Sequence, residues 1–293
     1  MKLVSYEADG LWRPGMIVGT TVYDVDSLLA ADNAAPAVGS IRELLRRHGE
    51  ELGVLSERLA AAAANTPDAA AGNIDSLRLG PPVADPGKVL CIGLNYKDHV
   101  AETGRALPAF PDVFAKFASS LIGAGDEIAC SDVTSNLDFE GELAIVIGRS
   151  CRNIAPAEAL GAVAGLMVLN DITARDLQYR GTQWLPGKAV DRSTPCGPAL
   201  VTLDEVGDPQ TLEILTRVNG TEMQHSNTRH MIFPLADLVA YVSTFLELSP
   251  GDIITTGTPE GIGAKRQPPV WLQPGDLVEV EVERVGVLRN AVR

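Results

Sequence analysis

The sequence predicts an α+β fold that is rich in β-strands, with a small N-terminal α/β domain followed by a larger β-rich domain. Short apolar runs recur along most of the chain, and Gly-containing pairs separate them. Only a few longer stretches show helical periodicity. With 293 residues, of which 45% are hydrophobic, the chain is long enough to bury a sizeable core.

The N-terminal part combines strand and helix patterns. Residues 2–25 predict short strands joined by Gly and Pro turns. Residues 40–65 predict one or two helices, with Ser40 as the N-cap and Glu43 as its capping-box partner. These elements predict a small α/β unit.

The segment AANTPDAAAGN, residues 63–73, is small and polar, which makes it the best linker candidate. It places a boundary near residues 70–85. We therefore predict a small N-terminal α/β domain at residues 1–80 and a catalytic domain at residues 81–293.

Strand patterns dominate the second domain. They are the segments KVLCIGL, VFAKF, GELAIVIG, PALVTL, LEILTRVNG, DIITTGT and DLVEVEVERV. Two helical patterns interrupt them, PAEALGAVAGL and PLADLVAYVSTFLEL. Turns are predicted at Asn219-Gly220 and at the Gly-Asp pairs 251–252 and 275–276.

Composition excludes several classes of protein. A net charge of −14 argues against non-specific nucleic-acid binding, which needs a basic surface. No run reaches the ~18 apolar residues of a membrane span, and the start MKLVSYEADG has no signal core. Widely spaced cysteines without a CxxC pair predict free thiols in a reducing cytosol. They are Cys91, Cys130, Cys151 and Cys196. A soluble, cytoplasmic protein without nucleic-acid or membrane partners is expected.

Three carboxylates alternate along LDFEGELAIVIG, residues 137–148. Asp138, Glu140 and Glu142 would share one face of a strand, because side chains alternate with period two. Like charges at the edge of a core are costly unless they are protonated or hold a cation. Hard divalent cations take oxygen ligands, so Glu140 and Glu142 are candidate metal ligands. A strand edge facing Lys or Arg is the alternative interpretation.

A third candidate ligand follows in LMVLNDITARDLQ. Asp171 comes directly after an apolar run that predicts a buried strand. Asp176 is the next candidate in the segment. An Asp at such a junction is also often a helix N-cap, which remains the alternative for Asp171.

The segment GLNYKDHVAETG, residues 93–104, predicts a strand end followed by a short polar helix. His99 and Glu102 stand at i,i+3 and share one helix face. A carboxylate beside an imidazole orients it, raises its basicity and supports a general base for water. A surface pair is the alternative interpretation.

Two loops complete the set of candidates. Lys188 follows a Pro-Gly turn in QWLPGKAVDRSTPCGP, where it is either solvated or stabilises a developing oxyanion. The segment ITTGTPEGIG, residues 254–263, ends a strand in a Gly-rich loop whose N–H groups suit a carboxylate. No G-K-[ST] follows, so the loop does not have the sequence of a P-loop.

Taken in order, these segments resemble the fumarylacetoacetate hydrolase family over roughly residues 84–293. The specific combination is E-x-E, then D-x-T-A-R-D-x-Q, then G-T-P-x-G. The resemblance implies a mixed β-roll catalytic domain, a divalent ion (Mg²⁺ or Mn²⁺) and a homodimer. It also implies hydrolysis of a C–C bond in acylpyruvates, or decarboxylation or isomerisation of related 2-oxo or 2-hydroxy-dienoic acids.

The resemblance implies a role for each motif residue. The implied metal ligands are Glu140, Glu142 and Asp171; the implied catalytic residues are His99, Glu102 and Lys188; the implied substrate-binding residues are Gln178, Thr258, Gly257 and Arg175. For Arg175 and Asp176 a structural role is the alternative. Phe114 and Lys116 match an F-x-K strand whose role is either substrate binding or structural.

One departure from the family pattern follows the lysine. The family usually reads S-F-D there, whereas this chain has Ala189 in place of the serine and adds Arg192. Arg192 is either a residue that favours a second substrate carboxylate or a surface residue.

The implied function is a divalent-metal-dependent hydrolase that cleaves a C–C bond in a 2,4-diketo acid such as fumarylpyruvate or acetylpyruvate. The first alternative is a metal-dependent decarboxylase or isomerase of a 2-oxo or 2-hydroxy-dienoic dicarboxylate, of the oxaloacetate or homoprotocatechuate-pathway type. The second is a non-catalytic, metal-dependent binder of small anionic 2-oxo acids. A binder needs ligands but no base, so His99 and Glu102 favour an enzyme.

Overall fold

The computed structural model describes residues 1–32, 36–129 and 132–293, and it is a mixed α/β structure built on one large sheet. The strands are β1 Lys2–Ala8, β2 Leu11–Val18, β3 Thr21–Asp24, β4 Ala70–Asn73, β5 Val89–Gly93, β6 Asp112–Lys116, β7 Leu121–Ile122, β8 Leu137–Asp138, β9 Gly141–Ile147, β10 Val163–Asn170, β11 Thr173–Ala174, β12 Thr194–Thr202, β13 Glu213–Val218, β14 Thr221–Asn227, β15 Ile253–Thr255, β16 Leu277–Val282 and β17 Gly286–Ala291. The helices are α1 Val25–Ala31, α2 Ile41–His48, α3 Leu52–Asn65, α4 Lys97–Thr103, α5 Pro156–Ala159, α6 Arg175–Gln178, α7 Leu185–Lys188, α8 Leu203–Val206 and α9 Leu235–Phe245. None of the helices in the described ranges is both long and apolar enough to cross a membrane.

The large sheet joins strands from both ends of the chain. Its order is β4-β3-β2-β1-β12-β10-β9-β15-β5-β6, with β7 paired to β12. Strand β1 pairs antiparallel with β12, so that Lys2 lies opposite Val201. Strand β15 lies between β9 and β5, antiparallel to the first and parallel to the second. The predicted division at residue 80 stays a prediction.

Strand β9 shows how the sheet buries both of its faces. Leu143, Ile145 and Ile147 belong to one apolar cluster, which includes residues of α9 and of a second sheet ordered β14-β13-β16-β17. Ala144 and Val146 point to the opposite face, where they join the apolar residues of α1, α2 and α3. A strand that is covered on both sides must be apolar throughout, which explains the run AIVI.

Most predicted elements are found, and the helix-cap prediction is half right. The Ser40 hydroxyl accepts a hydrogen bond from the Glu43 N–H at 3.2 Å and caps α2. The Glu43 carboxylate does not complete a capping box, because it binds Arg46 and Arg47. Exposed arginines one turn later therefore take the acceptor that the capping box needs.

Two predictions about local structure were wrong. The linker candidate 63–73 contains the end of α3 and strand β4, which pairs with β3. The helical pattern at residues 156–166 forms only the short helix α5 and a turn before β10 begins at Val163. Pairing with β9 and β12 decides the second case, because it buries the apolar residues that follow.

Cys91, Cys151 and Cys196 are free thiols, as predicted, whereas Cys130 lies outside the described residues. Burial raises the pKa of the Cys196 thiol to about 12. Because the thiolate is the reactive form, we expect Cys91 and Cys196 to resist alkylation by iodoacetamide at about pH 8 in the native protein and to react in urea. Mass spectrometry of the labelled peptides measures this; native labelling of Cys196 at the rate of a free thiol would contradict it.

Candidate metal centre and active site

Three carboxylates converge where β9 and β10 meet. Glu142 lies in β9, Glu140 directly precedes it, and Asp171 directly follows β10. The two strands are antiparallel neighbours, and the Asp171 N–H donates to the Glu140 carbonyl at 2.8 Å. One carboxylate oxygen of each residue lies within 4.8 Å of the others, and all three side chains are buried. The strand pairing therefore brings together the three ligands that the sequence predicted.

Two ammonium groups lie against these carboxylates. Lys188 Nζ donates to Glu140 Oε2 and to Asp171 Oδ2, both at 2.6 Å. Lys116 Nζ lies 2.8 Å from Asp171 Oδ1 and donates to the Ile172 carbonyl and the Thr194 hydroxyl. Both lysines are buried, so neither is the solvated residue of the alternative interpretation. Lys116 is surrounded by protein oxygens, which favours its structural role.

The residues fit a hard divalent cation. All three groups offer carboxylate oxygens, the ligand type that Mg²⁺ and Mn²⁺ prefer. Asp171 Oδ1 is buried and accepts no hydrogen bond from the described residues, because its ion pair with Lys116 lacks hydrogen-bond geometry. A buried oxygen of this kind needs a further partner.

Arg175 joins the carboxylates from the other side. Its guanidinium donates to Asp138 Oδ2 at 2.8 Å, to Glu140 Oε1 at 2.5 Å and to Gln178 Oε1 at 3.0 Å. Arg175 has only donors, so the Gln178 oxygen must face it and the amide N–H₂ is left for the cavity. Arg175 therefore positions a candidate metal ligand, Glu140, and a predicted substrate-binding residue, Gln178.

Asp138 shares a face with Glu140 but does not belong to the triad. It anchors the backbone turn Gly263–Lys265, because its carboxylate accepts from the Gly263 N–H at 2.7 Å and from the Ala264 N–H at 3.1 Å. A Cβ on Gly263 would lie 2.0 Å from the Val270 carbonyl oxygen, so only glycine allows this approach.

The pKa values within this network diverge. Burial, with the neighbouring Asp171 and Glu140 charges, raises the pKa of Glu142 well above its ordinary value. Burial opposes ionisation of Glu140 as well, but Arg175 and Lys188 outweigh it and hold that pKa low. Burial alone would lower the pKa of Lys188, yet Asp171 and Glu140 hold it above its ordinary value. Lys188 is therefore a permanent cation and a donor, which suits an oxyanion and not a base.

His99 and Glu102 form the predicted pair on α4. The His99 Nδ1 and Glu102 Oε2 atoms are 3.0 Å apart, and Glu102 Oε1 accepts from the Gly261 N–H at 3.0 Å. His99 is buried and lines the same cavity as the triad. Because Nδ1 faces Glu102, Nε2 is the ring nitrogen left to act on a bound molecule. The pair is thus part of the site and not a surface pair.

The Gly-rich loop forms hydrogen bonds mainly with other protein groups. The Gly257 N–H donates to Glu142 Oε2 at 2.8 Å, and φ is +91° at this glycine. The Thr258 hydroxyl donates to the Gly141 carbonyl and accepts from Gln224 Nε2. Both groups are occupied by protein partners, although Thr258 lines the cavity. Their predicted role in substrate binding stays a prediction.

The cavity has a volume of about 270 Å³ and is lined by eight of the ten predicted site residues. The other two, Glu102 and Gly257, bind the lining residues His99 and Glu142. The sequence prediction missed several other residues of its wall, which belong to separate segments of the chain. They are Thr103, Arg105, Tyr179, Trp184, Ile262 and Lys265. Thr103, Trp184 and Ile262 lie within the motif segments but had no role assigned to them. Arg105, Tyr179 and Lys265 lie just outside those segments, and only the fold places them at the cavity.

The positions of Asp171, Asp176 and Arg192 in the structure decide between the alternative interpretations of these residues. Asp171 caps no helix, since α6 begins at Arg175 without a side-chain cap. Asp176 binds the Thr134 hydroxyl and lies outside the triad. Arg192 is exposed on a surface turn away from the cavity, so the interpretation as a surface residue is the correct one.

Asp138→Asn should destabilise the protein by about 1–3 kcal/mol, the usual cost of a buried donor that loses its acceptor, while Arg175 keeps its ion pair with Glu140. The new amide would also oppose the donors of Arg175 and Gly263. Urea unfolding measures the change, with Asp176→Asn on the neighbouring helix as the control. Equal stability of the two variants would contradict a structural role for Asp138.

A comparison with models of known families matches residues 88–293 to the fumarylacetoacetate hydrolase C-terminal domain. The chain belongs to the fumarylacetoacetate hydrolase family. This confirms the resemblance seen in the sequence, and the matching solved structures confirm the predicted fold class.

Curated relatives of this fumarylacetoacetate hydrolase family member carry different activities in their names. The mitochondrial oxaloacetate tautomerase of Rattus norvegicus is 41% identical over 297 residues, which cover 100% of this chain and 91% of the relative. The 2,4-didehydro-3-deoxy-L-rhamnonate hydrolase of a Sphingomonas species is 46% identical over 217 residues, which cover 73% of this chain and 76% of the relative.

Solved structures match the family member over its whole length. The fumarylacetoacetate hydrolase of Exiguobacterium antarcticum has a TM-score of 0.84 at 37% identity, covering 100% of this chain and 99% of that chain. A probable 2-hydroxyhepta-2,4-diene-1,7-dioate isomerase of Mycobacterium abscessus has 0.80 at 32%, covering 100% and 98%. The maleylpyruvate hydrolase of a Sphingobium species, in complex with manganese(II) and pyruvate, has 0.77 at 30%, covering 100% and 98%. The chain is an enzyme of this family, whose relatives include hydrolases, isomerases and tautomerases.

Proposed function

We propose that the protein is a divalent-metal-dependent hydrolase that cleaves the C–C bond of a small 2,4-diketo acid. The observation that carries the proposal is the buried His99, which pairs with Glu102 and lines the same cavity as the carboxylate triad. A site that only bound a 2-oxo acid would need the ligands but no oriented base.

The charges of the site support an anionic substrate. Four buried carboxylates lie among three buried cations, which leaves a formal charge of −1. A divalent ion changes this to +1, which favours a carboxylate in the cavity. Glu140, Glu142 and Asp171 would hold Mg²⁺ or Mn²⁺, which when bound supplies a Lewis acid for the substrate carbonyl.

The chain's own groups supply the proton transfer and the oxyanion contacts. His99 Nε2 takes a proton from water while Glu102 stabilises the imidazolium, a contribution of about 10²–10⁴-fold. The resulting hydroxide adds to the distal carbonyl, whose oxygen accepts from the Lys188 ammonium and the Gln178 amide. The C3–C4 bond then breaks, its electron pair goes to C3, and protonation gives pyruvate and a carboxylic acid.

Incubation with Mg²⁺ and acetylpyruvate or fumarylpyruvate tests the proposal. We expect the diketo absorbance to fall and pyruvate to appear in equal amount, and EDTA to stop both. Stable diketo absorbance with both compounds, in protein shown to bind Mg²⁺, would exclude the hydrolase.

A second candidate is the tautomerisation of oxaloacetate. The rat relative with this name aligns with the whole of this chain. The reaction moves a proton between carbon and oxygen, for which His99 is a suitable base and Lys188 a suitable donor to the enol oxygen. Faster loss of enol oxaloacetate absorbance, together with intact acylpyruvates, would favour this candidate.

A homodimer belongs to the same proposal, as does a small anionic 2-oxo acid as the substrate. Membership of the family supports both. Light scattering on the eluted protein measures the mass of the assembly directly.

A further inference from the structure

The outer part of the cavity carries two cations that the proposed chemistry does not use. Arg105 and Lys265 line the cavity, and both are exposed. The inner cations Arg175 and Lys188 are each bound to buried carboxylates. Among the described residues, no carboxylate lies within 4.0 Å of the side-chain nitrogens of Arg105 or Lys265. In a chain of net charge −14, this leaves two free positive groups at the entrance of the site.

Arg105 is supported by the cavity wall. Its guanidinium carbon lies 5.6 Å from the centre of the Trp184 ring, a cation–π distance. Trp184 in turn packs edge-on against Phe114 at 5.5 Å between ring centres. Gly104 ends helix α4 just before Arg105, so the same helix that carries His99 leads into this arginine. A side chain held on an aromatic surface loses less freedom when it binds an anion.

Lys265 belongs to a backbone turn that is held by hydrogen bonds. It closes the turn Gly263–Lys265, whose N–H groups are bound to the buried carboxylate of Asp138. Tyr179 contributes to the cavity wall together with Lys265, and both also border an adjoining surface depression. The backbone next to Lys265 is therefore bound to Asp138, which in turn pairs with Arg175 at the metal centre.

We propose that Arg105 and Lys265 select a substrate with a second carboxylate at the end remote from the 2-oxo acid group. This inference rests on the proposed function and assigns a dicarboxylic substrate to it. In the proposed reaction the 2-oxo acid end faces the triad and the inner cations, which leaves the distal end to the exposed side of the cavity, where Arg105 and Lys265 lie. A volume of about 270 Å³ suits a short dicarboxylate. Arg192 takes no part, because it lies on another surface.

The variants Arg105→Gln, Lys265→Gln and the double variant test the inference, with Arg192→Gln as the control. The substrates are fumarylpyruvate and its distal carboxamide, which has the same shape without the second charge. We expect the kcat/KM of the native enzyme to be about 10-fold or more higher for the diacid than for the carboxamide. A tenfold ratio corresponds to about 1.4 kcal/mol. The double variant should lose that preference through a higher KM for the diacid, with kcat and the turnover of the carboxamide unchanged.

The outcomes separate this inference from the proposed function. Turnover of both substrates with equal efficiency, or an unchanged preference in the double variant, would overturn the inference and leave the hydrolase in place. If neither substrate is cleaved, titration calorimetry with Mg²⁺ and 2-oxoglutarate or its distal amide provides the same comparison as a ratio of affinities. A ratio that is the same in the native protein and the double variant would overturn the inference in that case.

Discussion

Glu142→Gln should abolish turnover and divalent-metal binding together. The loss of one of three carboxylate ligands removes a charge and a coordinating oxygen from the site. We expect turnover to fall by about 10³-fold or more, because the cation supplies several kcal/mol of charge stabilisation. Metal affinity should fall by more than the 10–100-fold that is roughly typical for loss of an outer-shell partner. Activity assays and calorimetric titration with Mg²⁺ measure the two effects.

The stability of this variant separates a ligand from a structural residue. Burial and the charges of Asp171 and Glu140 raise the pKa of Glu142, so the site disfavours its ionised form. A neutral amide avoids that conflict, and its oxygen still accepts from the Gly257 N–H. We therefore expect an unchanged or higher melting temperature in EDTA. Glu260→Gln, on an exposed residue of the same loop, is the control; full activity of Glu142→Gln would refute the ligand assignment.

His99→Ala should keep the metal and lose hydrolysis. His99 pairs with Glu102 and is not one of the three candidate ligands, so Mg²⁺ affinity should stay close to that of the native protein. Loss of a general base costs about 10²–10⁴-fold in kcat. The variant Glu102→Gln should show a smaller loss, because the imidazole remains but is no longer stabilised by a charge. Steady-state kinetics with acetylpyruvate provide the measurement.

His225→Ala is the matched control, because His225 is exposed on β14, lies near Glu213 and Glu222, and is not a cavity-lining residue. It should behave as the native enzyme in every assay. If His99→Ala hydrolyses acetylpyruvate as fast as His225→Ala, His99 has no part in the reaction.

The sequence was most informative where neighbours in the chain are also neighbours in the site. Glu140 and Glu142 are two residues apart at the start of one strand, and His99 and Glu102 lie one turn apart on one helix. Periodicity alone places such pairs together. Asp171 lies near Glu140 and Glu142 only because β9 pairs with β10. The family motif, and not periodicity, indicated that the three residues belong together.

The cations of the metal centre were harder to predict because they act across long sequence separations. Lys116 reaches Asp171 from β6, and Arg175 joins Asp138 to Glu140. The F-x-K motif singled out Lys116, but the local sequence gave no indication of its partner Asp171. The same holds for Arg105 and Lys265, whose shared cavity depends on the whole fold. At residues 63–73 the local composition gave a wrong prediction. Small polar residues suggested a linker, whereas pairing with β3 makes part of the segment a strand.

The pairing of β1 with β12 determines how much of the chain must be synthesised before the large sheet can form. Strand β1 finds its partner only after residue 201 has been made. Strand β15, which separates β9 from β5, comes about fifty residues later still, and the Gly257 N–H that holds Glu142 follows it. Nascent chains that end before residue 257 have an incomplete catalytic centre and an unpaired sheet edge, and such an edge is prone to aggregation.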